Sequence, residues 1–132
     1  MNTVDRFHRR TWHNVGATDE VIASVARELG QEFPSDYVRL IHETNGIEGF
    51  LDGEQYVIFF PVTDLPKLNR AANVAEFAPS FLIIGSDGGG TSYGIVGGGK
   101  YGWCNSETLS DDEVIVVGET LDDLLAAIAR DR

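Results

Sequence analysis

The stretch Phe81–Gly99, FLIIGSDGGGTSYGIVGGG, limits the possible folds more than any other part of the chain. Eight of the 15 glycines lie in it. Phe81-Leu82-Ile83-Ile84 is apolar at every position, so it reads as a strand covered on both faces. Tyr93–Val96 and Tyr101–Cys104 read as two further strands, with the glycine clusters between them as hairpin turns. Glycines at this density serve either as turns in a sheet or as a cradle for phosphate. The residues after the last glycine distinguish the two.

Two phosphate motifs match by spacing. Gly94–Tyr101 fits G-x-x-x-x-G-K, but Tyr101 stands where the motif's Ser or Thr binds magnesium. Gly97–Gly102 fits G-x-G-x-x-G. Both motifs depend on a helix directly after them, whose first amides point at the phosphate. Gly102-Trp103-Cys104-Asn105-Ser106 opens no helical period, so the turn reading prevails and no cofactor is expected.

Other chemistry is equally sparse. His8, His13 and His42 share no ligand spacing, and Cys104 has no Cys-x-x-Cys partner. Asp111-Asp112-Glu113 lacks the calcium-loop pattern, so no metal is expected. Ser86 has Ile84 where a nucleophile elbow requires glycine. Cys104, beside Trp103, reads as a small buried hydrophobe. Tyr56, Phe59, Phe60, Tyr93, Tyr101 and Trp103 fall on strands with only Lys100 between them, which suits a core and not a base-stacking platform. No catalytic constellation survives, and the chain reads as non-enzymatic.

The remaining segments alternate helices with strands. Residues 1–13 show no clean period and read as a loose arm or a short helix, with residues 1–17 as an N-terminal arm. Thr18 caps a helix over about residues 19–29, with Asp19 and Glu20 in its first turn and Gly30 ending it. Phe33-Pro34-Ser35 opens a second helix, with Ser35 as its cap, that Asn45-Gly46 stops. Glu48 to Glu54 reads as a turn region, and Tyr56–Phe60 as a strand. Thr63 or Asp64 caps a third helix, with Leu65, Leu68, Ala72 and Phe77 facing inward. Ser106–Asp112 is a polar loop and Glu113–Val117 the last strand. Thr120 caps a final helix, with Asp123 as a short-armed capping box and Leu121, Leu124, Leu125 and Ile128 inside. This order predicts an α+β fold: one domain over residues 1–132, with a largely antiparallel central sheet packed against several helices. The Tyr93–Cys104 region is where an exposed sheet edge is expected.

The net charge of −11 bears on partners. Such a chain repels phosphate backbones and draws basic proteins, so direct nucleic-acid binding is not expected. A single cysteine fits a reducing compartment. The start, MNTVDRFHRRTWHN, lacks the apolar segment of a secretory signal, and no run is long enough to span a membrane. A cytoplasmic protein without membrane contact is expected.

Four segments carry a family resemblance. They are the helix pair with Phe33-Pro34-Ser35-Asp36-Tyr37-Val38-Arg39-Leu40-Ile41 and Thr44-Asn45-Gly46; Phe60-Pro61-Val62-Thr63-Asp64-Leu65; Leu82-Ile83-Ile84-Gly85-Ser86-Asp87-Gly88-Gly89-Gly90; and the closing helix Thr120–Ala129. In order and spacing they resemble the SUKH superfamily, the family of Smi/Knr-type cell-wall regulators and of bacterial toxin-immunity proteins. The resemblance implies an α+β protein-binding module without a catalytic centre. In bacteria it implies an immunity protein that neutralises a cognate toxin, often a nuclease. It transfers no site residue. Joined to the charge, it nominates two acidic groups as partner contacts: Glu48, Asp52 and Glu54, and Glu107, Asp111, Asp112 and Glu113. Two other roles stay open: a regulatory scaffold of the Smi/Knr type, and small-ligand binding or catalysis at the Gly85–Gly99 turns.

Overall fold

The computed structural model describes residues 3–52 and 55–131. Its centre is a seven-stranded antiparallel sheet with the strands in sequence order. They are β1 (Phe7–His13), β2 (Ile47–Leu51), β3 (Gln55–Phe59), β4 (Phe81–Ser86), β5 (Thr91–Val96), β6 (Lys100–Asn105) and β7 (Ile115–Gly118). Helices α1 (Asp19–Leu29) and α2 (Ser35–Glu43) lie between β1 and β2. Helices α3 (Leu65–Ala71) and α4 (Val74–Phe77) lie between β3 and β4, and α5 (Leu121–Asp131) comes after β7. The α+β class expected from the sequence is the class observed.

Local signals place the longer helices. The Thr18 hydroxyl accepts the Val21 N–H at 3.2 Å, and Gly30 closes α1 in the left-handed conformation. At α5 the Asp123 N–H donates to Thr120 Oγ1 at 3.0 Å while the Thr120 N–H donates to Asp123 Oδ2 at 3.2 Å, a reciprocal capping box. At α2 the cap position is Pro34, and Ser35 is the first helical residue.

The apolar run Phe81–Ile84 is divided between two cores. Leu82 and Ile84 join the main cluster with Tyr37, Leu40 and Ile41 of α2 and Leu121, Leu124, Leu125 and Ile128 of α5. Phe81 and Ile83 point the other way, to Val74, Ala78 and Cys104. Successive strand residues face opposite sides, so a strand with a layer on each side must be apolar throughout. Asn69 ties α3 to this strand. Its buried amide donates to the Leu65 and Ile83 carbonyls at 2.9 and 3.0 Å and accepts the Ile83 N–H at 2.9 Å.

The glycine clusters are turns. Gly98 and Gly99 have φ of +87° and +79° in the β5–β6 hairpin, where a side chain would be strained. Strand β6 begins at Lys100, where a phosphate motif would need a helix. Asp87 Oδ1 organises the β4–β5 turn by accepting the Gly89 and Thr91 N–H groups at 2.8 and 3.1 Å.

Besides the cap of α2, which is Pro34 and not Ser35, four expectations are corrected. Residues 7–13 are strand β1, not a loose arm or a helix; pairing to β2 decides their form, and Phe7 is buried in the main core. Residues 48–51 of the expected turn region belong, with Ile47, to strand β2, whose alternation buries Ile47, Gly49 and Leu51 and leaves Glu48 and Phe50 half-buried. Phe77, expected inside, is 51% exposed because α4 ends there after one turn and only Val74 is buried on it. The segment Tyr93–Cys104 is interior to the sheet, and the edges are β1 and β7.

Candidate functional site

Of the two acidic groups nominated from sequence, Glu48 is on β2 and Asp52 directly follows it, whereas the second group lies in the connection between β6 and β7. The partners their carboxylates meet within the chain differ.

In the first group, the Trp12 indole N–H donates to Glu48 Oε1 at 2.5 Å across the β1–β2 pair. Arg6 Nη2 lies 2.9 Å from Asp52 Oδ2, and the Asp52 N–H donates to the Arg6 carbonyl at 2.8 Å. Both carboxylates are therefore engaged within the chain, and a cation already partly offsets Asp52. Glu54 lies outside the described residues.

The second group sits in a built loop. Asn105 Oδ1 accepts the Glu107 and Thr108 N–H groups at 2.8 and 3.3 Å. Asp111 Oδ1 accepts both the N–H and the hydroxyl of Ser80, at 3.2 and 2.8 Å. The Thr108 hydroxyl donates to Glu113 Oε2 at 2.5 Å, and the Ser110 hydroxyl accepts the Asp112 N–H at 3.3 Å. Leu109 and Val114 anchor the loop on the smaller core. Glu107, Asp111, Asp112 and Glu113 are exposed on a loop whose backbone is held in place. Such a surface loses little conformational freedom when a partner binds.

The segment continues in the same sign. Glu119, Asp122 and Asp123 come after β7, and residues 101–129 contain no Lys, Arg or His. These three acids were not nominated from sequence. Asp122 and Asp123 lie in the first turn of α5, where Asp123 Oδ2 accepts the Glu119 and Thr120 N–H groups at 3.1 and 3.2 Å and Asp122 Oδ1 lies 4.0 Å from Arg6 Nη1, the guanidinium that also pairs with Asp52.

Alternative sites are poorly furnished. Among the described residues no group of three or more His, Cys, Asp or Glu side chains can hold a metal ion. No helix among them is long and apolar enough to cross a membrane. The glycine turn at 97–99 borders an open groove with Phe33, Pro34, Val38 and Ile95 on its walls. The one charged side chain on the groove is Glu32, whose carboxylate would repel a phosphate. Cys104 is buried, with its sulfur 3.8 Å from the Ser110 carbonyl.

The class these features define is an α+β protein with an antiparallel sheet in sequence order, helices inserted after β1 and β3, and a closing helix after β7. A family model described as SMI1 / KNR4 family (SUKH-1) matches residues 16–127, and the chain belongs to that family. No curated protein sequence matches it significantly.

Proposed function

We propose that this chain is a non-enzymatic protein-binding module of the immunity type, acting in the cytoplasm to neutralise a cognate bacterial toxin. The observation that carries this reading is the segment 101–129, which holds seven carboxylates and no basic residue. A toxin that cleaves nucleic acid needs a basic site for its substrate. An ordered acidic surface competes for that site by charge and is steered to it quickly. Family membership supports the reading, because immunity proteins are one of the family's two known roles.

Within this reading Glu107, Asp111, Asp112 and Glu113 are the principal contacts. Glu48, Asp52 and Glu54 are secondary, since Trp12 and Arg6 already engage the first two. The test is co-expression with the toxin encoded beside this gene. The parent chain restores growth, and a variant carrying Asp111→Lys, Asp112→Lys and Glu113→Lys does not. Equal rescue by that variant at matched expression would sink the acidic-surface reading. A gene with no toxin-like neighbour would instead favour the regulatory-scaffold role.

A further inference from the structure

The two edges of the sheet are not alike. Strand β1 carries His8, Arg9, Arg10 and His13 in its own sequence, and charge on an edge strand discourages added pairing. Strand β7, Ile115-Val116-Val117-Gly118, carries none. Among the described residues it pairs with β6 alone, so its outer side presents backbone N–H and C=O groups. Ile115 is 57% exposed and Val116 49% exposed. These neighbours point to opposite faces of the sheet, so the edge is apolar above and below its free backbone.

The surroundings decide what can pair there. Glu107, Asp111, Asp112 and Glu113 precede β7, and Glu119, Asp122 and Asp123 succeed it, with Arg6 Nη1 4.0 Å from Asp122. A second copy laid antiparallel along β7 would bring the Asp111–Glu113 end of one chain beside the Glu119 end of the other. A parallel copy would stack like on like. Either arrangement sets carboxylates against carboxylates, which flanking charges do in proteins that block self-association. A strand with basic residues among its β-branched ones meets opposite charge at both ends.

We propose that β7 is a docking edge to which a partner protein adds a basic β-strand, extending the sheet to an eighth strand. Main-chain hydrogen bonds along Ile115–Gly118 supply register, Ile115 and Val116 pack on the added strand's apolar side chains, and the flanking acids select for lysine and arginine. The docking edge deepens the protein-binding role and rests on it, but its test needs no toxin.

The probe is a short synthetic peptide of alternating valine and lysine, titrated into the full-length 15N-labelled chain. Two control peptides accompany it. One has glutamate for lysine; the other is N-methylated on alternate backbone amides, keeping its charge but losing the ability to pair. The valine–lysine peptide should shift the amide resonances of Ile115–Gly118 saturably, with affinity falling as salt screens the acids. Both controls and the Val116→Lys variant should bind about tenfold or more weakly. Three results overturn the proposal: no shift in these amides, equal binding of the N-methylated peptide, or a dimer in sedimentation that Val116→Lys disperses. The peptide controls need no variant, so a folding defect in Val116→Lys leaves the test intact. Failure of toxin rescue with success here rejects the immunity reading alone; the reverse rejects the docking edge alone.

Discussion

The Tyr101 hydroxyl donates to Asp36 Oδ1 at 2.6 Å, joining β6 to the first turn of α2. The second oxygen of the same carboxylate accepts the Leu121 N–H, the first amide of α5, at 2.6 Å. Asp36 Oδ1 also accepts the Tyr37 N–H at 2.8 Å. One side chain thus serves the starts of two helices and a strand of the sheet. It holds α5 in register beside β7, and so positions the acidic surface.

Asp36→Ala should destabilise the chain by about 2–3 kcal/mol, because it removes a charged acceptor and strands the Tyr101 hydroxyl and a helix-start amide. Tyr101→Phe leaves the Leu121 contact in place and should cost about 1 kcal/mol. Urea denaturation of the two single variants and the double variant measures their coupling. Additive losses would mean that the pair does not act as a unit.

Asn69→Ala should cost about 2–4 kcal/mol. Its buried amide satisfies both the N–H and the C=O of Ile83 and one carbonyl of α3, and each orphaned group carries a penalty of about 1–3 kcal/mol. Asn69→Asp supplies only acceptors at neutral pH and should be no better. Thermal denaturation at pH 7 checks both variants; a loss below about 1 kcal/mol would show that water replaces the amide.

Gly102→Ala tests how β7 is seated. An added Cβ at Gly102 would collide with the Ile115 carbonyl oxygen, inside any real contact distance. The strand must shift or detach, at a cost of about 1–3 kcal/mol typical of overpacking. Hydrogen exchange should quicken at the amides of Ile115–Gly118 while those of β4 and β5 stay protected. Uniform quickening would instead indicate global destabilisation.

Stability should fall above pH 10. Burial raises the Tyr37 hydroxyl above its ordinary value of 10.0, and burial, then the Asp36 hydrogen bond, raises Tyr101 likewise. Both stay protonated in the folded chain while the unfolded chain loses those protons, so the stabilisation is complete below pH 10 and lost as pH rises further. For each such tyrosine the slope approaches about 1.4 kcal/mol per pH unit. Urea midpoints from pH 8 to 11.5 would show it, and Tyr37→Phe should flatten the alkaline limb.

Much of the fold was legible in the chain itself. Helix α1 is set by Thr18, its apolar period and Gly30; α5 is set by the Thr120–Asp123 box and Leu121, Leu124, Leu125 and Ile128. Signals of this kind act over a few residues, so they survive without knowledge of the rest of the fold. The double-faced run Phe81–Ile84 announced a strand with layers on both sides for the same reason. The loop acids Glu107, Asp111, Asp112 and Glu113 were also visible, but as charge without a neighbourhood.

Strands β1 and β2 were not legible. FHRRTWH has no apolar alternation of its own, and IEGFL carries a glycine that suggests a turn. Each is a strand because the other lies beside it, and pairing between segments 34 or more positions apart leaves no local trace. The position of the sheet edge has a related cause: an edge belongs to strand order, which depends on how every strand pairs. By itself the sequence determined the helices, the buried central strand, the glycine turns and the sign of the charge, all set by short-range capping, period and composition. Only the tertiary structure decided that β7 is a sheet edge, that Arg6 brings Asp52 and Asp122 together, and that Asp36 holds the start of α5, because these depend on contacts between residues far apart in the chain.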